Sequence, residues 1–251
     1  MKMGKTALIT GASGGIGLEL ARLAAADHYN LALIARSENK LKEIQKEFQE
    51  EYDIQVDVLP FDLAETDTAA EIFEELQDRD IEILINNAGF GDHDDFADAK
   101  WSKINSMIKV NIIALTELTH LFLPGMIKRG SGRILNVSST AAFQPGPQMA
   151  VYFASKAYVQ SLSEALAVEM KDKGITVTAL CPGPTVSGFQ GKADIIEDPD
   201  EKKPRMATAA EVAEYGYHAM MKGKTVAIHG TMNKILAASA GFKPGSFLSK
   251  L

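Results

Sequence analysis

Cysteine is almost missing from this chain: Cys181 stands alone among 251 residues. An intrachain disulfide and a cysteine-built metal cluster are thereby excluded, which fits a reducing compartment. Positive charge is also short. The chain has 26 Lys and Arg against 33 Asp and Glu, a formal net charge of −7. Nothing in that balance resembles a nucleic-acid footprint, and the run Lys202-Lys203-Pro204-Arg205 reads as a solvated loop. No apolar run approaches the roughly 18 residues of a membrane span. The start, MKMGKTALITG, leads into a strand without the apolar stretch and cleavage site of a signal peptide. Internal repeats, low-complexity tracts and Pro/Gly-rich linkers are absent too. The expectation is one domain over residues 1–251 in the cytoplasm, with one competing address: Ser249-Lys250-Leu251 reads as a peroxisomal signal if the source is eukaryotic.

What is present is alternation. β-branched and aliphatic runs at 5–10, 30–35, 54–60, 81–86, 132–138, 174–180 and 224–229 predict strands, several apolar throughout as in strands covered on both faces. Helical patterns fill the gaps at 15–27, 38–51, 66–78, 100–128, 150–173 and 208–222. In SENKLKEIQKEFQEEY, for example, Leu41, Ile44 and Phe48 form one apolar face opposite charges. Ala157, Ser161, Ala165 and Val168 form a small-residue stripe suited to close packing. The pattern predicts an α/β doubly wound sheet of about seven mostly parallel strands with helices on both faces. The long segment 187–207 has no such pattern and reads as a lid.

After the first strand comes TGASGGIG, Thr10 to Gly17. Glycines in a strand-to-helix turn admit a pyrophosphate close to the backbone, and the helix start offers N–H groups and positive potential. The cradle would be Gly11, Ser13, Gly15, Ile16 and Gly17, in a Rossmann-like arrangement with a longer turn than G-x-G-x-x-G. At the end of the second strand, where an acid would bind ribose hydroxyls, stands Arg36. A guanidinium there pairs with a 2′-phosphate, so NADP(H) is favoured over NAD(H). Asp62 and Leu63 end the third strand, the Asp facing the adenine or capping a helix. NNAG, with Asn87, Ala88 and Gly89, ends the fourth, at the carboxyl edge where open α/β sheets bind ligands.

YFASK places Tyr152 and Lys156 one helical turn apart on one face. A free phenol titrates near 10, and a neighbouring ammonium favours phenolate, so such a pair suits proton transfer at neutral pH. TGASGGIG, NNAG, Asn111, NVSS, YFASK and CPGP, taken in order over residues 5 to about 190, resemble the short-chain dehydrogenase/reductase family, in its Tyr-x-x-x-Lys branch. The resemblance implies Tyr152 as general acid in reduction and base in oxidation, with Lys156 lowering its pKa and holding the nicotinamide ribose. It implies Ser139, thirteen residues before Tyr152, as hydrogen-bond donor to the substrate oxygen, with Ser138 structural. Asn111 would anchor a water-linked proton relay, and Pro182, Gly183 and Thr185 would hold the carboxamide. Where the family often reads Pro-Gly-x-x-x-Thr, this chain has Ser187 at the last position. Phe153, Ala154 and Ser155 read as helix filler.

Phe90, His93, Phe96, Phe143, Gln144, Met149, Phe189, Ile195 and Ile196 are candidates for the substrate cleft, Phe143 and Phe189 foremost. They imply a hydrophobic ketone, aldehyde or secondary alcohol. Tyr chemistry needs no metal, and His93 among carboxylates reads as part of an acidic loop. The alternative is a catalytically idle NADP-binding regulator or scaffold of the same fold. Relatives pack as dimers or tetramers through their two long helices, which implies a homodimer or homotetramer here.

Overall fold

The centres of runs such as TALIT and IEILIN, Ala7–Ile9 and Ile83–Ile85, are apolar on both faces, so they are stable only when covered on both sides. The computed structural model describes residues 4–186 and 206–240. Its strands are β1 (Thr6–Thr10), β2 (Asn30–Ile34), β3 (Val56–Leu59), β4 (Ile81–Asn86), β5 (Gly132–Val137), β6 (Ile175–Cys181), the two-residue β7 (Thr185–Val186) and β8 (Ala207–Thr208), and β9 (Val226–Ile228). Seven of them form one sheet in the order β3-β2-β1-β4-β5-β6-β9, every neighbouring pair parallel. The chain moves outward from β1 to β3 and returns across it to β4. The carboxyl ends of β1 and β4 therefore flank the switch point where such sheets bind ligands.

The helices are α1 (Gly15–Ala26), α2 (Glu38–Tyr52), α3 (Thr68–Glu75), α4 (Trp101–Ile108), α5 (Leu115–Arg129), α6 (Ala150–Met170), α7 (Ala209–Met221) and α8 (Thr231–Ala240). On one face Leu20, Leu41, Phe48, Val212 and Met220 from α1, α2 and α7 close a core over the sheet. On the other, Ile72, Leu118, Phe122 and Met170 from α3, α5 and α6 close a second.

The seven expected strands are all present. The expected helix 100–128 is a continuous run, Trp101–Arg129, interrupted by a π-helical segment, Lys109–Ala114. This run is long and apolar enough, by length and composition alone, to cross a membrane. Its Ile104, Met107, Leu118, Phe122 and Met126 are buried in the fold. Helix α8 was not anticipated. Of the lid expected at 187–207, residues 187–205 lie outside the described residues, and Ala207 at its end pairs with Thr185 in the small β7–β8 ribbon.

Candidate active site

At the end of β1 the chain turns through Gly11, at φ +67°, and Gly15, at φ +57°, both in the left-handed region that favours glycine. A Cβ on Gly17 would collide with the Gly11 carbonyl and the Asn87 amide, so the turn closes only with glycine there. The Asn87 amide donates to the carbonyls of Thr10 (2.9 Å) and Gly11 (3.3 Å). Thr10 Oγ1 in turn accepts from the backbone N–H groups of Asn87 and Ala88, each at 2.9 Å. These bonds stitch the turn after β1 to the turn after β4. Helix α1 begins without a side-chain cap, and a Cβ on Gly14 would meet open space. An uncapped helix start beside an open, glycine-lined turn fits a pyrophosphate. Ser13 and Ile16 border it, both half-buried.

Further along the same edge, Arg36 after β2 and Asp62 after β3 come together, Nη1 to Oδ2 3.9 Å. Arg36 is 73% exposed, so its guanidinium is presented to solvent beyond the sheet. Asp62 also accepts the Ala64 N–H at 3.0 Å, closing the turn that buries Leu63.

The reacting groups gather over β5 and α6. Ser139 caps the 3₁₀ turn Thr140–Phe143, its Oγ accepting from Ala141 N at 3.1 Å. Ser139 lies within hydrogen-bonding reach of the Tyr152 phenol. Lys156 is buried, its Nζ 5.8 Å from the Tyr152 ring centroid and donating to the Val137 carbonyl at 2.8 Å. Asn111 lies in the π-helical segment, buried, its Oδ1 accepting from Phe90 N (3.1 Å) and its Nδ2 donating to Phe90 O (3.0 Å) and Ser155 Oγ (3.1 Å). Gly89 sits between them: a Cβ there would lie 3.1 Å from Asn111 Oδ1 and 3.2 Å from Lys156 Nζ. The four residues expected to act together are thus neighbours.

Two expectations need correction. Tyr152's phenol is not brought below its ordinary value. Burial pushes it above its ordinary value, and the Ser139 hydrogen bond works the other way. Burial lowers the Lys156 ammonium instead, to about 8, with a smaller opposing influence from Cys181. Nor is Ser155 filler. It is fully buried, donates to the Tyr152 carbonyl at 2.7 Å and accepts from Asn111, linking the two helices. Phe153 buttresses as well, its ring edge-on to Tyr152 and filling the space a Cβ on Gly146 would need. Thr10 and Ser155 were missed because each is a small hydroxyl inside a motif read for its larger members.

Ser138 is structural, as expected: its Oγ donates to the Lys156 carbonyl at 2.8 Å and its N–H to Leu180 O at 2.7 Å. Pro182 accepts from Thr140 N at 2.8 Å and Thr185 Oγ1 donates to Gly183 O at 2.8 Å. The loop after β6 therefore borders the turn bearing Ser139. Phe143 is half-buried in that turn, while Phe189, Ser187, Ile195 and Ile196 lie outside the described residues.

A parallel sheet with a glycine cradle at its switch point, and a Ser, Tyr, Lys and Asn grouping beside it, defines a dinucleotide-binding α/β oxidoreductase fold. The chain belongs to the short chain dehydrogenase family, whose model matches residues 5–196. It is 31% identical over 250 residues to the very-long-chain 3-oxoacyl-CoA reductase of Rattus norvegicus, covering 96% of this chain and 78% of that one. It is 36% identical over 185 residues to the human inactive hydroxysteroid dehydrogenase-like protein 1, covering 71% of this chain and 55% of that protein. The chain thus spans little more than half the length of the hydroxysteroid dehydrogenase-like relatives it matches. Among solved structures it superposes on a short-chain dehydrogenase from Sphingobium yanoikuyae in complex with NADPH, with TM-score 0.85 and 30% identity over 98% of this chain and 96% of that one.

Proposed function

We propose that this chain is an NADP(H)-dependent oxidoreductase that interconverts a hydrophobic ketone or aldehyde and the corresponding alcohol. The observation that carries the reading is the grouping of Ser139 and Tyr152, with Lys156 and Asn111 packed behind them and the open glycine cradle alongside. Bound at Gly11, Ser13, Gly15, Ile16 and Gly17, the nicotinamide cofactor supplies the hydride in reduction and takes it in oxidation. Arg36 would pair with its 2′-phosphate, and backbone groups of Asn87, Ala88, Gly89, Pro182, Gly183 and Thr185 would hold it.

In reduction the Tyr152 hydroxyl gives its proton to the carbonyl oxygen as the alkoxide develops, and in oxidation the phenolate takes that proton back. Ser139 donates a hydrogen bond to the same oxygen, lowering the energy of the charge that forms there. Lys156, charged below about 8, limits the cost of the phenolate left behind. Asn111 has both ends of its amide committed to Phe90 and Ser155, so its side chain positions the helix. The π-helical segment shifts the backbone hydrogen bonding around it.

Similarity to an inactive hydroxysteroid dehydrogenase-like protein favours a second reading, an idle NADP-binding protein. The two part on one test, a screen of NADPH oxidation over ketones and aldehydes of graded size. The oxidoreductase reading expects turnover with at least one apolar carbonyl compound. NADPH binding with no turnover across the series would support the second reading.

A further inference from the structure

Asp92, Asp94, Asp95 and Asp98 punctuate the loop after β4, and the last three are exposed, as a solvated acidic loop requires. Asp92 is not. Its side chain is 8% exposed and is ion-paired with Lys103 of α4, Nζ to Oδ1 2.8 Å. An aspartate is seldom buried unless it is paired. The loop is held at alternate positions on either side of it. The Asn111 amide grips Phe90 at both its N–H (3.1 Å) and its carbonyl (3.0 Å). The Asp94 N–H donates to the Gln148 carbonyl at 2.9 Å. Gln148 sits at φ +62°, a left-handed conformation that a residue other than glycine keeps only when its surroundings fix it.

These contacts close a ring of main chain around the reacting groups. From Lys156 and Tyr152 on α6 it runs back through Met149 to Gln148 and crosses to Asp94. It returns through Asp92 and Phe90 to Gly89, where a Cβ would stand 3.2 Å from Lys156 Nζ. The crossing joins two loops, so its position depends on how those loops are held. Lys103 belongs to a helix fixed in the fold by its buried Ile104 and Met107. When the ion pair breaks, the loop is therefore the side that moves, since a carboxylate left buried and alone is costly.

We propose that Asp92 is a positioning residue for the carbonyl substrate: paired with Lys103, it holds the loop after β4 so that Asp94 meets Gln148, and the ring so closed limits the bulk of the ketone that can be placed beside Tyr152. This role rests on the oxidoreductase reading and names the residue that sets substrate size for it.

The test is reduction of 2-butanone, acetophenone and benzophenone with NADPH by the full chain and by Asp92→Asn, Lys103→Met and Lys103→Arg. Breaking the pair is expected to raise KM for 2-butanone on the order of tenfold with kcat little changed. The kcat/KM ratio of benzophenone to 2-butanone should rise by about the same factor. Lys103→Arg keeps the charge and should keep the unaltered ratio. NADPH affinity, read by fluorescence titration, should be the same in all four proteins, because the turn from Gly11 to Gly17 is no part of the ring. Lys103→Met breaks the pair from its more exposed end, so the result stands even where Asp92→Asn fails to fold. Amide hydrogen exchange reads the crossing itself: the Asp94 N–H is expected to exchange about tenfold faster in Lys103→Met.

Unchanged exchange at Asp94 overturns the proposal. So does a kcat that falls equally for all three ketones with KM and the size ratio unaltered, which would make the pair a structural support alone. Turnover in the unaltered chain with the same size ratio in every variant removes the role of Asp92 and leaves the oxidoreductase reading standing. NADPH binding by the unaltered chain with no ketone reduced counts against that reading itself, and the substrate role of Asp92 falls with it.

Discussion

Burial lowers the Lys156 ammonium to about 8 and raises the Tyr152 phenol, and together these set the pH at which the site can reduce a carbonyl. Below about 8 the ammonium is charged and the phenol protonated, the two states that proton donation needs. As pH rises through about 8, Lys156 loses its charge first, so kcat/KM for reduction is expected to be level at neutral pH and to fall above it. Lys156→Arg, charged throughout this range, should move the fall to higher pH. A profile for the unaltered protein that stays level to pH 10 would contradict the assignment. Arg36 makes a separate expectation. Its long contact to Asp62 at an exposed site adds little stability, so the guanidinium is available to a phosphate. Arg36→Asp is expected to reverse a preference for NADPH over NADH, read by fluorescence titration; equal affinities in the unaltered protein would sink the cofactor assignment.

The strands were legible because a run such as LALI (31–34) or ILI (83–85) is apolar on both sides, a pattern that only a doubly covered strand satisfies. The order of Gly11, Asn87, Ser139, Tyr152 and Lys156 along the chain told where the site would form. Other elements left no such mark. A π-helical turn adds one residue per turn without disturbing an apolar stretch, so Lys109–Ala114 looked like ordinary helix. Helix α8 has few buried positions to produce a 3.6-residue period, and its Ala-Ala-Ser-Ala end resembles many loops. The polar ladder under the site was invisible for a different reason: it depends on register. Asn86 of β4 and Asn136 of β5 are paired across the sheet, both buried, and Asn86 Nδ2 donates to Asn136 Oδ1 (2.9 Å) and Thr119 Oγ1 (3.0 Å). Asn136 Nδ2 donates on to Ser163 Oγ of α6 at 2.9 Å. Removing the middle member leaves buried partners unsatisfied at about 1–3 kcal/mol. Asn136→Ala is therefore expected to lower Tm by roughly 4–8 °C in calorimetry. No change in Tm would show that the ladder contributes nothing.

At the scale of the whole molecule, the outer face of α6 carries an exposed strip of small and apolar side chains. Ala157, Ser161, Ala165 and Val168, the small-residue stripe, are all exposed there, Val168 at 77%, near Ile113 at 49% and Tyr158 at 39%. Tyr158 is tied to Thr116 at 3.0 Å, so the face spans both long helices. We propose that two copies pack through it as a homodimer or within a homotetramer. Light scattering should then give a multiple of 27.1 kDa for the unaltered chain and a smaller assembly for Val168→Glu. A monomeric unaltered chain would contradict this. The central claim, that Tyr152 moves the proton, is tested most directly by measuring Tyr152→Phe for both NADPH binding and carbonyl reduction. The account predicts turnover lost by a factor of about 10² to 10⁴ with NADPH affinity nearly unchanged. Unaltered turnover in Tyr152→Phe would contradict it.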